Sequence, residues 1–273
     1  MLPQHLDSYE LDRCYKVIHV QKRISCNWKV ALEAFLESYH VIATHPQLLT
    51  FMGDANAQYD ILSDHVNRAI TGNATTSPHL EPLPVTQVVE DTLRESGRVT
   101  TDGEIQVPEG MSARRYLADM NRQAFSEAYG RDFSDVTDSE LLDAILYWLF
   151  PNIEIWGGYL GNIVYRSRPD GHDPDSCLFD VMVLRRLGAD EPMKPGAPVH
   201  VLGEDECFSD AEELAVLGKV FDQDMSNLPH MQAGLKAAAL NGRDGLLFGE
   251  YVDCRLQHMH AMIDRYLAQG SDS

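Results

Sequence analysis

The sequence predicts an α+β fold, and three observations carry that expectation. Segments rich in β-branched residues cluster in the middle of the chain, helical periodicity marks both ends, and strands do not alternate one for one with helices. A length of 273 residues suits one large domain or two small ones, with ample chain for a sizeable core.

The elements follow in order. Residues 1–14 are mixed and polar, a linker-like segment. YKVIHVQKRIS, 15–25, is β-branched and predicts a strand. Asn27 then caps a helix in which Trp28, Leu32, Phe35 and Tyr39 share one face, and Lys29, Glu33, Glu37 and His40 another. Gly, Asn, Thr, Ser and Pro punctuate 46–110, with strand-like pieces in AQYDILSDHVNRAIT and an extended loop at PHLEPLPV. A helix is expected over 112–129, capped by Ser112; 138–150 begins as helix and ends as strand. GNIVYRSRP and SCLFDVMVLRRLG form a hairpin with a long connection through DGHDPD, and PMKPGAPVHV is a proline-rich link. The last seventy residues are helical. Ser209 and Glu212 form a candidate capping box, a helix runs over 210–228 with Pro229 near its end, and another covers 248–268 on a stripe of Val252, Leu256, Met259, Ile263 and Tyr266. No internal repeat or low-complexity segment interrupts this order.

The formal charge of −20 and pI near 4.8, with no basic run, argue against nucleic-acid partners and anionic membrane surfaces. Five widely spaced cysteines without a CxxC pair, and no signal-like opening, predict a reduced cytoplasmic protein. No stretch approaches the roughly 18–20 apolar residues of a membrane span.

ESYHVIATHPQ, 37–47, raises the question of function, because His40 and His45 lie close together with Glu37 just before them. On a regular helix the two histidines would stand about 140° apart, at about 100° per residue, and could not share a metal. The zinc-protease HExxH spacing is absent. Convergence needs the helix to end or distort after His40. Pro46 disfavours helical dihedrals at His45, and Val41, Ile42 and Thr44 are weak helix formers. A second signal lies in 210–228, where Leu214, Leu217, Phe221 and Leu228 make an apolar stripe and Asp224 falls inside it. A carboxylate on a buried face needs a cation or several donors. Two imidazoles and a carboxylate suit non-haem Fe(II), with positions left open for dioxygen, and zinc accepts the same ligands. Against this stand a solvated histidine pair and an aspartate reaching water at a helix end.

NWKVALEAFLESYHVIATHP, 27–46, resembles the signature of the catalytic domain of Rieske-type non-haem iron oxygenases, the ring-hydroxylating α subunits. FDQDMSNLPHMQAGL, 221–235, resembles that family's second signature, an acidic ligand followed eight residues later by Gln-x-Gly-Leu; LFPN and LQHMHAMIDRYL are also similar, so the resemblance spans essentially the whole chain. It implies a helix-grip fold, a curved antiparallel sheet packed against helices including a long C-terminal one, and a single catalytic domain over 15–273. It implies His40, His45 and Asp224 as ligands of a catalytic Fe(II), with Asp222 the competitor, and Glu37 as the acid bridging the iron site toward the electron-delivering cluster. The implied reaction is hydroxylation of an aromatic or other hydrophobic small molecule with O2, as in aromatic-hydrocarbon catabolism, over a pocket lined by Phe35, Val41, Trp156, Leu217, Val220 and Phe221. Members are commonly homotrimers in which one subunit's cluster faces the next subunit's iron, fed by ferredoxin and reductase components.

Two departures matter. Ala34 stands where the family often has asparagine. Neither Cys-x-His nor Cys-x-x-His, the ligand motifs of a Rieske [2Fe-2S] cluster, occurs in the 273 residues. The expectation is that electrons come from a Rieske centre not encoded here, this chain being the catalytic portion of a longer protein. The alternatives are a cluster on a separate polypeptide and loss of turnover. The rival classes are a helix-grip carrier of lipids or steroids without catalysis, and a zinc hydrolase with Glu37 as base.

Overall fold

The computed structural model describes residues 2–97, 105–159, 162–188, 190–243 and 245–270. The expected α+β class holds. One eight-stranded sheet runs through the molecule, built from β1 (Cys14–Ile24), β2 (Met52–Ser63), β3 (Val66–Asn73), β4 (Ala144–Leu149), β5 (Ile153–Gly157), β6 (Ile163–Asp170), β7 (Asp173–Arg186) and the short β8 (His200–Val201). Its order is β2-β3-β4-β5-β6-β7-β1-β8. Every pairing is antiparallel except that of β1 with β8.

Alternation along the strands gives the sheet two faces, and the one bearing Trp148 carries the helices of the site. Trp148 pairs with Glu154 and Glu154 with Tyr165, and Tyr165 pairs with Val181, so a continuous row of side chains faces the same way across four strands. Against this face pack α2 (Trp28–Glu33), α7 (Val216–Leu240) and α8 (Cys254–Gly270). Val30, Ala31, Phe179, Val181, Phe208 and Phe221 form one buried cluster between β1, β6, β7 and α7. Leu32, Leu36, Trp148, Leu256, Met259 and Met262 form a second under α8. A third gathers around α4 (Val85–Glu95), α5 (Ala113–Tyr129) and α6 (Asp138–Leu142) on the opposite face of the sheet, with Ile145 and Tyr147 of β4.

Several expectations are corrected. The opening segment is not linker-like in its packing, since Leu6 and Tyr9 are buried in the third cluster. VTQVVEDTLRE, within the punctuated 46–110 stretch where no helix was expected, forms α4, because Val88, Val89 and Leu93 recur on one buried face. The β6–β7 connection is tight rather than long: Asp170 pairs with Asp173, and Gly171 takes a positive φ of 59° that suits the two-residue turn. The Ser209–Glu212 capping box does not form; Cys207 and Asp210 make that reciprocal pair instead, and two 3-10 turns precede α7. Pro229 does not end the helix but lies inside α7, which continues to Leu240. The C-terminal helix starts at Cys254 and not at 248, so Val252 lies before it, exposed; on α8 the buried positions are Arg255, Leu256, Met259 and Met262, whereas Tyr266 is exposed. The cap of α5 is that of the sequence, with Ser112 accepting from Arg115, and α6 starts at a capping box of Thr137 with Glu140 that the sequence reading did not name.

Candidate metal centre

The helix expected through His40 breaks early. Asn27 caps α2 by accepting from the Lys29 amide at 3.1 Å, but the α-helix stops at Glu33. Tertiary contacts then claim the backbone and side chains that a longer helix would have used. Ser38 Oγ donates to the Asp54 carbonyl at 2.8 Å, and the Ser38 amide donates to Tyr59 Oη at 3.2 Å. Glu37 turns onto His40, where Oε2 accepts the His40 amide at 3.0 Å and Oε1 lies 2.6 Å from Nδ1. The expected contact of Glu37 with His40 is present, made by a chain turn and not by a shared helix face.

The segment after His40 ends at His45, as expected. Val41–Thr44 form one helical turn, α3, with His40 at its start and His45 at its end. The chain leaves helical dihedrals at His45 itself, with φ −126° and ψ 54°, just before Pro46. That single departure turns the His45 ring toward His40, and the ring centroids lie 5.4 Å apart.

Asp224 reaches the pair from α7. It is 5 % exposed and lies on the stripe of Leu214, Phe221 and Leu228 that faces the sheet. Its Oδ1 is 2.9 Å from His45 Nε2 and 3.8 Å from His40 Nε2. One potential ligand atom from each of His40, His45 and Asp224 falls within a mutual 4.8 Å, the spacing a single ion requires. Asp222 is directed elsewhere, accepting from the amides of Phe208 at 2.7 Å and Ser209 at 3.2 Å.

The hydrogen bonds on the far side of each ring decide what the near side offers. His45 Nδ1 is 2.9 Å from Gln223 Oε1, which also accepts from Gln47 Nε2 at 2.8 Å. His40 Nδ1 is committed to Glu37 in the same way. With both Nδ1 atoms donating, both neutral rings present Nε2 lone pairs to the Asp224 carboxylate. Two acceptors at 2.9 Å need a proton or a cation between them, so this donor set fits a metal ion. In the metal-free protein His40 supplies part of that positive charge. Burial opposes its protonation, but the Glu37 hydrogen bond and the Glu37 and Asp224 charges outweigh it and hold its pKa above the ordinary value.

Of the residues expected to line a pocket, Phe35, Trp156, Leu217 and Phe221 join one apolar cluster on the sheet side of Asp224. The Phe35 ring lies 4.6 Å from that of Tyr165, tilted by 40°, and Tyr165 stands edge-on to Phe221 at 5.6 Å. Val41 is buried in α3, apart from that cluster. Val220 instead borders an outer cleft of about 610 Å³, with Gln47, Arg94, Val216, Lys219 and Gln223. Sequence reading missed Gln223 and Gln47. Their only signal was proximity to the ligand positions, and nothing in residue type distinguished them from surface glutamines. It also missed Tyr165, a central member of the aromatic cluster.

Comparison with known proteins gives a single family. The sequence model described as the ring-hydroxylating α subunit (catalytic domain) matches residues 8–269. A search of curated proteins found no match. Among solved structures, a quaternary ammonium Rieske monooxygenase studied for carnitine oxidation by gut microbiota and inter-subunit electron transfer aligns at TM-score 0.51 and 11 % identity, covering 97 % of this chain and 53 % of that chain. The quaternary ammonium Rieske monooxygenase CntA in complex with an inhibitor gives 0.53 at 11 % identity, covering 97 % and 52 %. At such identity the likeness is one of fold, and the chain spans about half the length of these proteins. These comparisons do not favour a ligand carrier without catalysis. Taken with the match over nearly its entire length, the chain belongs to the ring-hydroxylating oxygenase α-subunit family, as a catalytic domain.

Proposed function

We propose that this chain is the mononuclear non-haem iron domain of a Rieske-type oxygenase, with a helix-grip architecture and with His40, His45 and Asp224 holding Fe(II). The observation that carries the reading is the convergence of two imidazole nitrogens and one carboxylate oxygen within 4.8 Å. Both Nδ1 atoms are engaged from behind, so the three donors share one side and leave the remaining positions open, the arrangement suited to ferrous iron. When bound, the ion supplies activation of dioxygen for hydroxylation of a hydrophobic small molecule.

The chain's own residues prepare that chemistry. Glu37 holds the Nδ1 proton of His40 and aims Nε2 inward, and Gln223 does the same for His45. Phe35, Trp156, Leu217 and Phe221, with Tyr165, make the apolar wall that excludes water and receives the substrate. The electrons come from a Rieske cluster outside these 273 residues, with ferredoxin and reductase behind it, and Glu37 faces the arriving donor. We further propose a homotrimer in the reduced cytoplasm, a compartment supported by five cysteines that are all unpaired. Among the described residues no helix is long and apolar enough to cross a membrane.

Metal analysis tests the reading. The purified chain reconstituted anaerobically with ferrous salt should bind one iron, and His40→Ala or Asp224→Ala should bind none. Full iron occupancy in either variant, or stoichiometric zinc retained in preference to iron, refutes it.

A further inference from the structure

One fully buried cation stands outside the metal cluster. Arg255, in the first turn of α8, is 0 % exposed. Its Nε donates to Asn67 Oδ1 at 2.7 Å, its Nη1 to the carbonyls of Leu36 at 3.0 Å and Phe35 at 3.3 Å, and its Nη2 to the carbonyl of Leu146 at 3.3 Å. Glu154, also 0 % exposed, places Oε1 3.9 Å from Nη2. That side chain is too far for a hydrogen bond, so the guanidinium is held by the carbonyls and Asn67.

The choice of carbonyls is informative. Had the helix continued past Glu33, the Phe35 and Leu36 carbonyls would accept from the amides of Tyr39 and His40, four residues on. The guanidinium takes both carbonyls instead. The His40 amide then turns to Glu37 Oε2, which brings Oε1 onto His40 Nδ1. Two neighbouring contacts act on the same segment, one from α8 and one from the residue just before it. Tyr39 Oη donates to Asp253 Oδ1 at 3.0 Å, and His260 Nε2 lies 2.7 Å from Glu33 Oε1.

We propose that Arg255 is the positioning residue for the Glu37–His40 pair. By holding the last two carbonyls before Glu37, it keeps the chain out of helix and sets the angle at which His40 meets the metal. The proposal rests on the iron reading above and makes the C-terminal helix part of the support of the metal centre.

The test uses the full chain and Co(II), whose visible absorption reports ligand geometry. In Arg255→Met/Glu154→Gln both buried titratable groups are replaced and the carbonyls lose their donor. The expected result is a folded protein with Co(II) affinity reduced about tenfold or more and an altered visible spectrum. Arg255→Lys, which retains a donor, should recover most of the affinity and the parent spectrum. A parent affinity and spectrum in the double variant overturn the proposal. Should the double variant not fold, amide exchange on the parent protein decides: Co(II) should raise protection at 254–258 together with 37–41, and protection confined to 37–41 overturns it. Failure of the parent to bind Co(II) would instead overturn the metal reading itself.

Discussion

Replacing Gln223 by leucine removes the acceptor behind His45 while leaving all three metal-binding side chains in place. His45 is 3 % exposed, and its Nδ1 lies 2.9 Å from Gln223 Oε1. Loss of that oxygen strands a buried donor, which costs about 1–3 kcal/mol in the metal-free fold. Gln47 also loses its 2.8 Å bond, but it is only half-buried and water takes the vacancy, so one stranded donor sets the magnitude. In the metal-bound protein the unanchored ring no longer holds Nε2 on target. Loss of such a supporting group weakens binding about 10–100-fold, equivalent to about 1.4–2.8 kcal/mol. Urea unfolding in the presence of chelator measures the first quantity, and Co(II) competition against a chromophoric chelator measures the second. Gln223→Glu keeps an acceptor and should retain the affinity. If the leucine variant matched the parent in both measurements, Gln223 would not orient His45, and the argument from the far side of each ring would fail.

Other perturbations probe other links. In metal-free protein the raised His40 pKa means that protonated His40 stabilises the fold fully below the ordinary value of 6.5, and this contribution is lost as pH rises through the higher folded value. Melting temperatures recorded with chelator should show that slope in the parent and not in His40→Gln, while metal affinity of the parent climbs across the same window as the proton leaves. Burial pushes the Glu154 carboxyl up to about 8, against a partial pull from Arg255. The folded chain therefore holds a proton that the unfolded chain has released between pH 4.5 and about 8, so stability falls as pH rises through that interval. Glu154→Gln should abolish this component of a pH series of urea midpoints; an unchanged slope would mean that Glu154 is not the titrating group. Phe221→Ala deletes a ring 2 % exposed, set 5.4 Å from Phe208 and one turn before Asp224. It should destabilise the fold by about 3–5 kcal/mol in urea titrations, and a cost below about 1 kcal/mol would mean that the site collapses freely.

The sequence by itself determined the ingredients. β-branched residues predicted β1, capping residues marked the starts of α2 and α5, and an aspartate inside an apolar stripe singled out Asp224 as a buried charge in need of a partner. These signals were legible because they are local: they depend on residues within one or two turns of each other. What only the tertiary structure decided was where the chain between Glu33 and His45 would bend. Periodicity favoured one helix through His40, and the helix lost because Tyr59, the Asp54 carbonyl and the Arg255 guanidinium, all remote in sequence, compete for its backbone and side-chain groups. The supports Gln223 and Arg255 were invisible for the same reason. Residue type alone does not report which nitrogen or carbonyl a side chain will meet, and those meetings set the angles at which His40, His45 and Asp224 converge.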